Sequence, residues 1–333
     1  MYILGIESSC DETSAAVVEA DDSSRRIAAD IVASQIDIHR LYGGVVPEIA
    51  GRAHIEAVTR ITHEALDEAK ITLGDVGLVA VTSHPGLIGA LLVGVNFAKS
   101  LAVANGIPLV GVDHVRAHIA AAYAAYPDLA PAFVGVELSG GHSSFFIVEG
   151  YASFHEIGST RDDAAGEAFD KIGRVIGMPY PGGAAMDRLA YEGNPHAYKL
   201  PSPALAGDTL DFSFSGLKTA ALNLIHNAAD RGEEVRRADL AASFTATVAD
   251  GFAKKLGMAL DATGLSTVVV AGGVSANSHL RAAADNVCKQ HGARLCLPPL
   301  NLCGDNAAMV ALQGYYEYKC GARAASDLNA SAV

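Results

Sequence analysis

The sequence predicts an α/β protein of two similar lobes, each built on a mixed sheet, with a cleft between them. Three observations predict it. A strand, a small polar turn and two returning strands open the chain and recur from Ala132 onward. A helical stretch of apolar periodicity follows each meander. The 333 residues, half of them apolar, suffice for two domains with sizeable cores. The lobes are expected at residues 1–112, completed by the last helix and tail at 306–333, and at 113–305.

In chain order, Tyr2–Ser8 reads as a buried strand ending in the polar turn Ser8-Ser9-Cys10-Asp11-Glu12-Thr13-Ser14. Ala15–Ala20 and Ile27–Ala33 return as strands, separated by a turn at Asp21–Ser24. His39–Pro47 is a loop, and Pro47 opens a helix to Lys70 with apolar Ile55, Val58, Ile61, Ala65, Leu66 and Ala69. Strand Val76–Thr82, a helix to Asn105 and strand Ile107–Val112 follow. A helix then carries His114 and His118. The second copy begins with strand Ala132–Leu138, the turn Ser139–Ser144, and strands Phe145–Glu149 and Tyr151–Ile157. A helix from Asp163, a Gly/Pro loop at Met178–Gly183, a short strand near Asp211–Ser215 and helices Leu217–Ala228 and Ala238–Ala262 continue it. Strand Thr267–Ala271 ends in Gly272-Gly273 and a helix to His291. Strand Arg294–Leu297 and loop Pro298–Asp305 precede the last helix, Asn306–Cys320, and a small, polar tail expected to fray.

The net charge of −13 removes any global attraction to nucleic acid, so such binding must rest on a local patch or a partner. Arg231, Arg236, Arg237, Lys254 and Lys255 come nearest to such a patch. Five scattered cysteines without a CxxC pair suggest reduced thiols in the cytoplasm. The start lacks the basic region of a signal peptide. No apolar run reaches the ~20 residues of a bilayer span; Leu87–Val103 is broken by Gly94, Asn96 and Lys99. A cytoplasmic protein without membrane contact is expected.

The histidine segment carries the chemistry. Residues four apart share one helix face, so His114 and His118 are half of a transition-metal site or two solvated histidines. They lie off the apolar stripe of Val112, Val115, Ile119, Ala122 and Tyr123, toward the cleft. A zinc peptidase is excluded, because Val115 stands where HExxH enzymes need their glutamate. Asp305 either caps the last helix or completes a His/His/Asp set. The turns at residues 8–14 and at Ser139-Gly140-Gly141-His142 offer backbone amides to an anion, which, with Gly272-Gly273, points to a nucleotide. Glu7, Asp11 and Glu12 crowd the first turn and suit a cation or a proton transfer. Glu137 is a charge within an apolar strand, facing either solvent or the cleft. Asp170 shares a helix turn with Glu167 and Lys171, Asp187 falls in a first helical turn, and Asn277 starts a helix.

Six separated motifs, in order, resemble the TsaD family of tRNA N6-adenosine threonylcarbamoyltransferases. They are Gly5-Ile6-Glu7-Ser8-Ser9-Cys10-Asp11-Glu12-Thr13, Gly43-Gly44-Val45-Val46-Pro47-Glu48-Ile49-Ala50, His114-Val115-Arg116-Ala117-His118, Ser139-Gly140-Gly141-His142, Gly166-Glu167-Ala168-Phe169-Asp170-Lys171 and Gly272-Gly273-Val274-Ser275-Ala276-Asn277. The resemblance implies an actin/hexokinase/Hsp70-like (ASKHA) fold. It implies transfer of threonylcarbamoyl from threonylcarbamoyl-AMP to N6 of adenosine 37 in tRNAs reading ANN codons, with AMP released. By position, His114, His118 and Asp305 match the metal ligands, usually for iron, with zinc or magnesium as alternatives. Glu137, Leu138, Ser139, Gly140, Gly141, Asp170, Gly183, Asp187 and Asn277 match substrate contacts, and Asp11 and Glu12 match the acidic turn, from which a general base would come. Leu138 replaces the tyrosine of archaeal and eukaryotic relatives, which marks the bacterial branch. Glu137 stands where the family more often has an apolar residue. A TsaB-like paralogue and a TsaE-like ATPase are implied as partners beside tRNA, and a homodimer when the chain is alone. Helices Ala53–Ala69 and Ala90–Val103 are the candidate partner faces. An ATP-hydrolysing or sugar-kinase-like activity, or a non-catalytic scaffold, would leave the histidines incidental.

Overall fold

The computed structural model describes residues 1–333. The chain divides into two compact units: Met1–Pro131 with Gly150–Phe154 and Pro298–Val333, and Ala132–Glu149 with His155–Leu297.

The first unit holds β1 (Tyr2–Glu7), β2 (Glu12–Ala20), β3 (Arg25–Ser34), β4 (Val76–His84) and β5 (Leu109–Asp113), in the sheet order β3-β2-β1-β4-β5. β1 runs antiparallel to β2 and parallel to β4. Ile3, Leu4 and Ile6 are all fully buried, as a central strand covered on both faces requires. Helices α1 (Ile36–Arg40), α2 (Pro47–Ala69), α3 (Ile88–Asn105), α4 (His114–Ala120) and α5 (Ala122–Ala125) complete this stretch. Pro47 is pre-set for the first turn of α2, and Val58, Ile61, Ala65 and Leu66 bury one face of that helix. α1 takes in His39 and Arg40, the first two residues of the expected loop. The expected single histidine helix breaks at Ala121 into α4 and α5.

The second unit holds β6 (Phe133–Leu138), β7 (Ser143–Gly150), β8 (Ser153–Ser159), β9 (Thr267–Ala271) and β10 (Arg294–Cys296), in the order β10-β9-β6-β7-β8. β6 is antiparallel to β7 and parallel to β9. Strand for strand this repeats the first sheet, so the duplication read in the sequence is a duplication of topology. Helices α6 (Ala165–Val175), α7 (Gly182–Ala190), α8 (Ser215–Asp230), α9 (Arg237–Thr263) and α10 (Ser278–Gln290) belong to it. α9 buries Leu240, Phe244, Val248, Phe252, Leu256 and Leu260, spaced at helical intervals, into a core shared with Phe145, Phe169, Phe212 and Phe214. The strand expected near residue 211 is reduced to isolated bridges at Phe212.

The last helix, α11 (Ala307–Lys319), belongs to the first unit. Leu4, Ile6, Val79 and Val81 face the core beneath α2 and α3. Gly5 and Ala80 alternate with them and face α11. A methyl on Gly5 would overlap the Ala307 carbonyl, and one on Gly314 would overlap the Ala80 methyl. Helix and sheet thus meet at near-backbone distance. α4 packs on α11, so the boundary expected at residue 112 falls after Pro131.

The tail does not fray. Ala324 N donates to Leu109 O (2.8 Å), Ser331 N to Ser83 O (2.9 Å), and Lys99 Nζ to Leu328 O (2.8 Å). The apolar helix α3 buries Ala90, Leu91, Gly94, Val95, Ala98 and Ala102 against this unit, as a core helix does. Its 18 residues and composition alone would also pass for a membrane span.

The close approach at Gly314 sets a test. Gly314→Val should lower stability by about 1–3 kcal/mol through overpacking, read as a lower urea midpoint. An unchanged midpoint would contradict the contact.

Candidate functional site

β5 ends at Asp113, whose Oδ1 accepts from Val115 N (2.8 Å) and Arg116 N (3.2 Å) and so starts α4. The cap places His114 and His118 one turn apart on one face. Both are buried, so the alternative of two solvated histidines is not the one realised. Their rings meet edge-on with centroids 4.6 Å apart. Asp305 comes from the other end of the chain. Its Oδ1 lies 3.2 Å from His118 Nε2 and 3.6 Å from His114 Nε2. Asn306 caps α11 through Met309 N (2.9 Å), so the alternative role of Asp305 as the cap is not the one realised. Ser14 Oγ accepts from Ala307 N (2.9 Å), fixing this corner to β2.

The donor set fits a transition metal. One ligand atom from each of the three residues lies within 4.8 Å of the others, a spread compatible with an ion bound at about 2.0–2.2 Å. Neither nitrogen of the fully buried His118 makes a hydrogen bond, although Nε2 is close to Asp305. A buried imidazole aimed at a carboxylate without hydrogen-bonding geometry is arranged as a ligand rather than as a donor.

Glu7 supplies the second layer. It is fully buried at the end of β1. Its Oε1 accepts from Ser9 N (2.5 Å), and its Oε2 lies 2.6 Å from the Thr82 hydroxyl and 3.1 Å from His114 Nδ1. Burial pushes the Glu7 pKa up, but the charge and hydrogen bond of His114 outweigh it, with help from Thr82, and hold the carboxyl below its usual range. Nδ1–H donation to Glu7 leaves the His114 Nε2 lone pair on the Asp305 side. Sequence reasoning placed Glu7 in the acidic crowd without this role; the one signal was a carboxylate closing a wholly apolar strand.

Asp11 is buried and Glu12 partly so. Burial, then the carboxylates of Asp11 and Asp305, push the Glu12 pKa up to about 9, against a hydrogen bond from Ser34 Oγ (2.8 Å). Burial and its acidic neighbours thus favour the protonated form of Glu12. Behind the turn, His54 of α2 bonds the Thr13 hydroxyl (2.7 Å) and the Cys10 carbonyl (3.0 Å), bracing the residues on both sides of the acidic pair.

The second unit assembles the other predicted residues. Ser139 closes its turn with a bond from its N–H to His142 O (2.9 Å), and its Oγ accepts from His142 N (3.1 Å). Gly140 and Gly141 are exposed, their amides make no hydrogen bond to the chain, and a Cβ added at either would meet open space. Gly166 N donates to Ser139 O (3.1 Å); a Cβ there would stand 2.6 Å from that oxygen, so glycine alone lets α6 approach the turn. Asp170 Oδ1 accepts from Gly182 N (2.7 Å) and Gly183 N (3.2 Å), which begins α7. Asp187 lies mid-helix in α7, not in its first turn, and accepts from Ser278 N (3.1 Å) and Oγ (2.9 Å). Asn277 caps α10 through His279 N (3.0 Å) and Leu280 N (3.1 Å). Asp170, Gly183, Asp187 and Asn277 thus tie α6, α7 and α10 together. Leu138 is a core residue, and Glu137 faces neither solvent nor a partner: it is fully buried and both its oxygens lack a hydrogen bond.

Three of the five basic residues of the expected patch are already engaged within the chain. Lys255 is buried and donates to Leu205 O (2.5 Å) and Thr209 O (2.6 Å). Arg231 pairs with Glu233 and Arg236 with Asp239.

The chain matches the TsaD family, tRNA N6-adenosine threonylcarbamoyltransferase, over residues 26–312. A Clostridium botulinum (strain 657 / Type Ba4) relative of that name is 49% identical over 328 residues, 98% of this chain and 96% of its own. One from Moorella thermoacetica is 51% identical over 316 residues, 95% of this chain and 92% of its own. Among solved structures, full-length HypF in a phosphate- and nucleotide-bound form superposes with a TM-score of 0.62 at 16% identity, over 96% of this chain and 46% of that one. The ROK hexokinase from Thermus thermophilus has a TM-score of 0.50 at 16% identity, over 95% and 98%. These two likenesses bear out the expected ASKHA fold. With half its residues identical along nearly its whole length to transferases of one name, the chain belongs to the family of tRNA N6-adenosine threonylcarbamoyltransferases.

Proposed function

We propose that the chain takes the threonylcarbamoyl group from L-threonylcarbamoyl-AMP and delivers it to N6 of adenosine 37 in tRNAs reading ANN codons. The bond from N6 to the carbamoyl carbon forms, the bond from that carbon to the phosphate oxygen breaks, and AMP leaves. The observation that carries this reading is the meeting of His114, His118 and Asp305 from distant parts of the chain, with the His118 nitrogens unbonded.

The residues divide the work. The Gly140 and Gly141 amides, unbonded within the chain, receive the donor phosphate or the charge developing on the carbamoyl oxygen. Gly183, Asp187 and Asn277, drawn together by α7 and α10, line the donor's nucleoside, and Asp170 fixes the turn they stand on. Asp11 takes the N6 proton, because burial and the neighbouring carboxylates favour the protonated form of Glu12. His114, His118 and Asp305 would hold one divalent ion per chain, with iron or zinc better suited than magnesium to two imidazoles. When bound, that ion supplies Lewis-acid polarisation of the carbamoyl group. Glu7 keeps the His114 ring in place for it.

An acidic surface leaves part of the tRNA grip to partners, here a TsaB-like paralogue and a TsaE-like ATPase. Exposed Ile55 on α2 and Ile88, Leu92 and Val103 on α3 offer an apolar face to such a partner, or to a second copy when the chain is alone. Five free thiols suit a reducing compartment such as the cytoplasm.

The test supplies donor, unmodified tRNA and the partner proteins, and measures threonylcarbamoyladenosine in the tRNA digest by mass spectrometry. Product from wild type and none from a His114→Ala/His118→Ala variant supports the reading. Product from both makes the histidines structural, and none from either favours an ATPase or a scaffold. Asp11→Ala should slow transfer by about 10²–10⁴-fold while donor affinity holds. Equal loss of both would remove Asp11 as the base. Glu7→Gln should weaken metal affinity by about 10–100-fold in a competition titration, and an unchanged affinity would contradict its orienting role.

A further inference from the structure

Glu137 is a buried carboxylate with nothing to satisfy it. Its exposure is 0%, and neither oxygen has a hydrogen-bond partner. Glu7, equally buried, is met by a backbone amide, a hydroxyl and an imidazole. Asp211 is met by Arg161 and the Ser159 amide. A buried carboxyl group without a hydrogen-bond partner is costly, which points to a partner from outside the chain.

The position says what kind of partner. Val134, Val136 and Leu138 of β6 face the core, and alternation turns Glu137 to the other face of the sheet. Across the parallel ladder it pairs with Ala271, the last residue of β9. Gly272 follows at φ +89°, and Glu137 Oε1 stands 2.8 Å from where a Cβ on Gly272 would be. A Cβ there would also overlap the Leu138 carbonyl oxygen, so only glycine lets this turn close over the end of β6. Gly273, next in the chain, is exposed with open space about it, so the cover over the carboxylate is thin. The group therefore lies between the Ser139-Gly140-Gly141 and Gly272-Gly273 turns, at the carboxyl ends of two parallel strands, where open α/β sheets take their ligands.

The Ser139 turn offers amides to an anion, yet a carboxylate beside a phosphate repels it. A hard divalent cation removes the conflict, because such an ion is commonly held by one carboxylate and the oxygens of a bound phosphate. We propose that Glu137 holds a divalent cation, Mg2+ in chemistry, against the phosphate of the nucleotide bound at the Ser139 turn. This oxygen-donor site is separate from the His114–His118–Asp305 set, whose imidazoles suit a softer metal. It rests on the reading that the Ser139 turn receives the donor phosphate.

Calorimetric titration of AMP into the full chain, with excess Mg2+ and without it, tests both readings separately. Wild type should bind AMP about tenfold or more tightly with Mg2+. Glu137→Leu and Glu137→Gln should bind AMP with no response to Mg2+; the glutamine keeps the shape should the leucine disturb folding. AMP binding by wild type that ignores Mg2+ overturns the cation site and leaves the pocket standing. An Mg2+ response surviving in both variants places the ion elsewhere and also overturns it. No AMP binding in either condition overturns the pocket reading and the cation site with it.

Discussion

The buried carboxylate of Glu7 is the constraint on which the rest of the first unit depends. A charge at the end of a fully covered strand is tolerable only with several donors around it, and the fold provides them from three places. Ser9 gives a backbone amide from the turn after β1, Thr82 a hydroxyl from β4, and His114 an imidazole from α4. Satisfying Glu7 therefore draws together β1, β4 and the histidine helix. The same contact decides which nitrogen of His114 is left for a ligand. Structure and chemistry share one hydrogen bond, so the ligand set cannot loosen without exposing a charge in the core.

The two sheets repeat one topology but carry different equipment. In the first unit the turn after β1 is acidic and braced by His54, beside the histidine pair and Asp305. In the second, the turn after β6 is two exposed glycines, and helices α6, α7 and α10 are locked to each other by Asp170, Asp187 and Asn277. One copy thus carries a cluster of imidazole and carboxylate groups, and the other open amides suited to an anion. This division gives the two copies of one scaffold different chemistry.

What was legible in the sequence was local. The meanders, their turns and the long helices follow from apolar periodicity and from the glycines that end strands, and these motifs span nearly the whole chain. The His114/His118 pairing was legible because four residues make one helical turn. Its burial was not, because α11, which packs on α4, lies some two hundred residues further along the chain. Asp305 and Asn306 are adjacent potential caps, and only the packed helix end shows that Asn306 takes that role. Lys255 looked like surface charge because composition cannot reveal a lysine capping two carbonyls inside a core. The tail, small and polar, looked loose; its order comes from edge strand β5, from Ser83 and from Lys99. Glu137 was ambiguous in an alternating strand, and only the neighbouring Gly272 shows where it points.

X-ray absorption spectroscopy of the purified, metal-loaded protein addresses the central claim most directly, because it reports the ligands rather than the activity. The account predicts a nitrogen/oxygen shell at about 2.0–2.2 Å with outer scattering from two imidazoles, both lost in His114→Ala/His118→Ala. A sulfur shell at about 2.3 Å, or imidazole scattering that survives the double substitution, would contradict it.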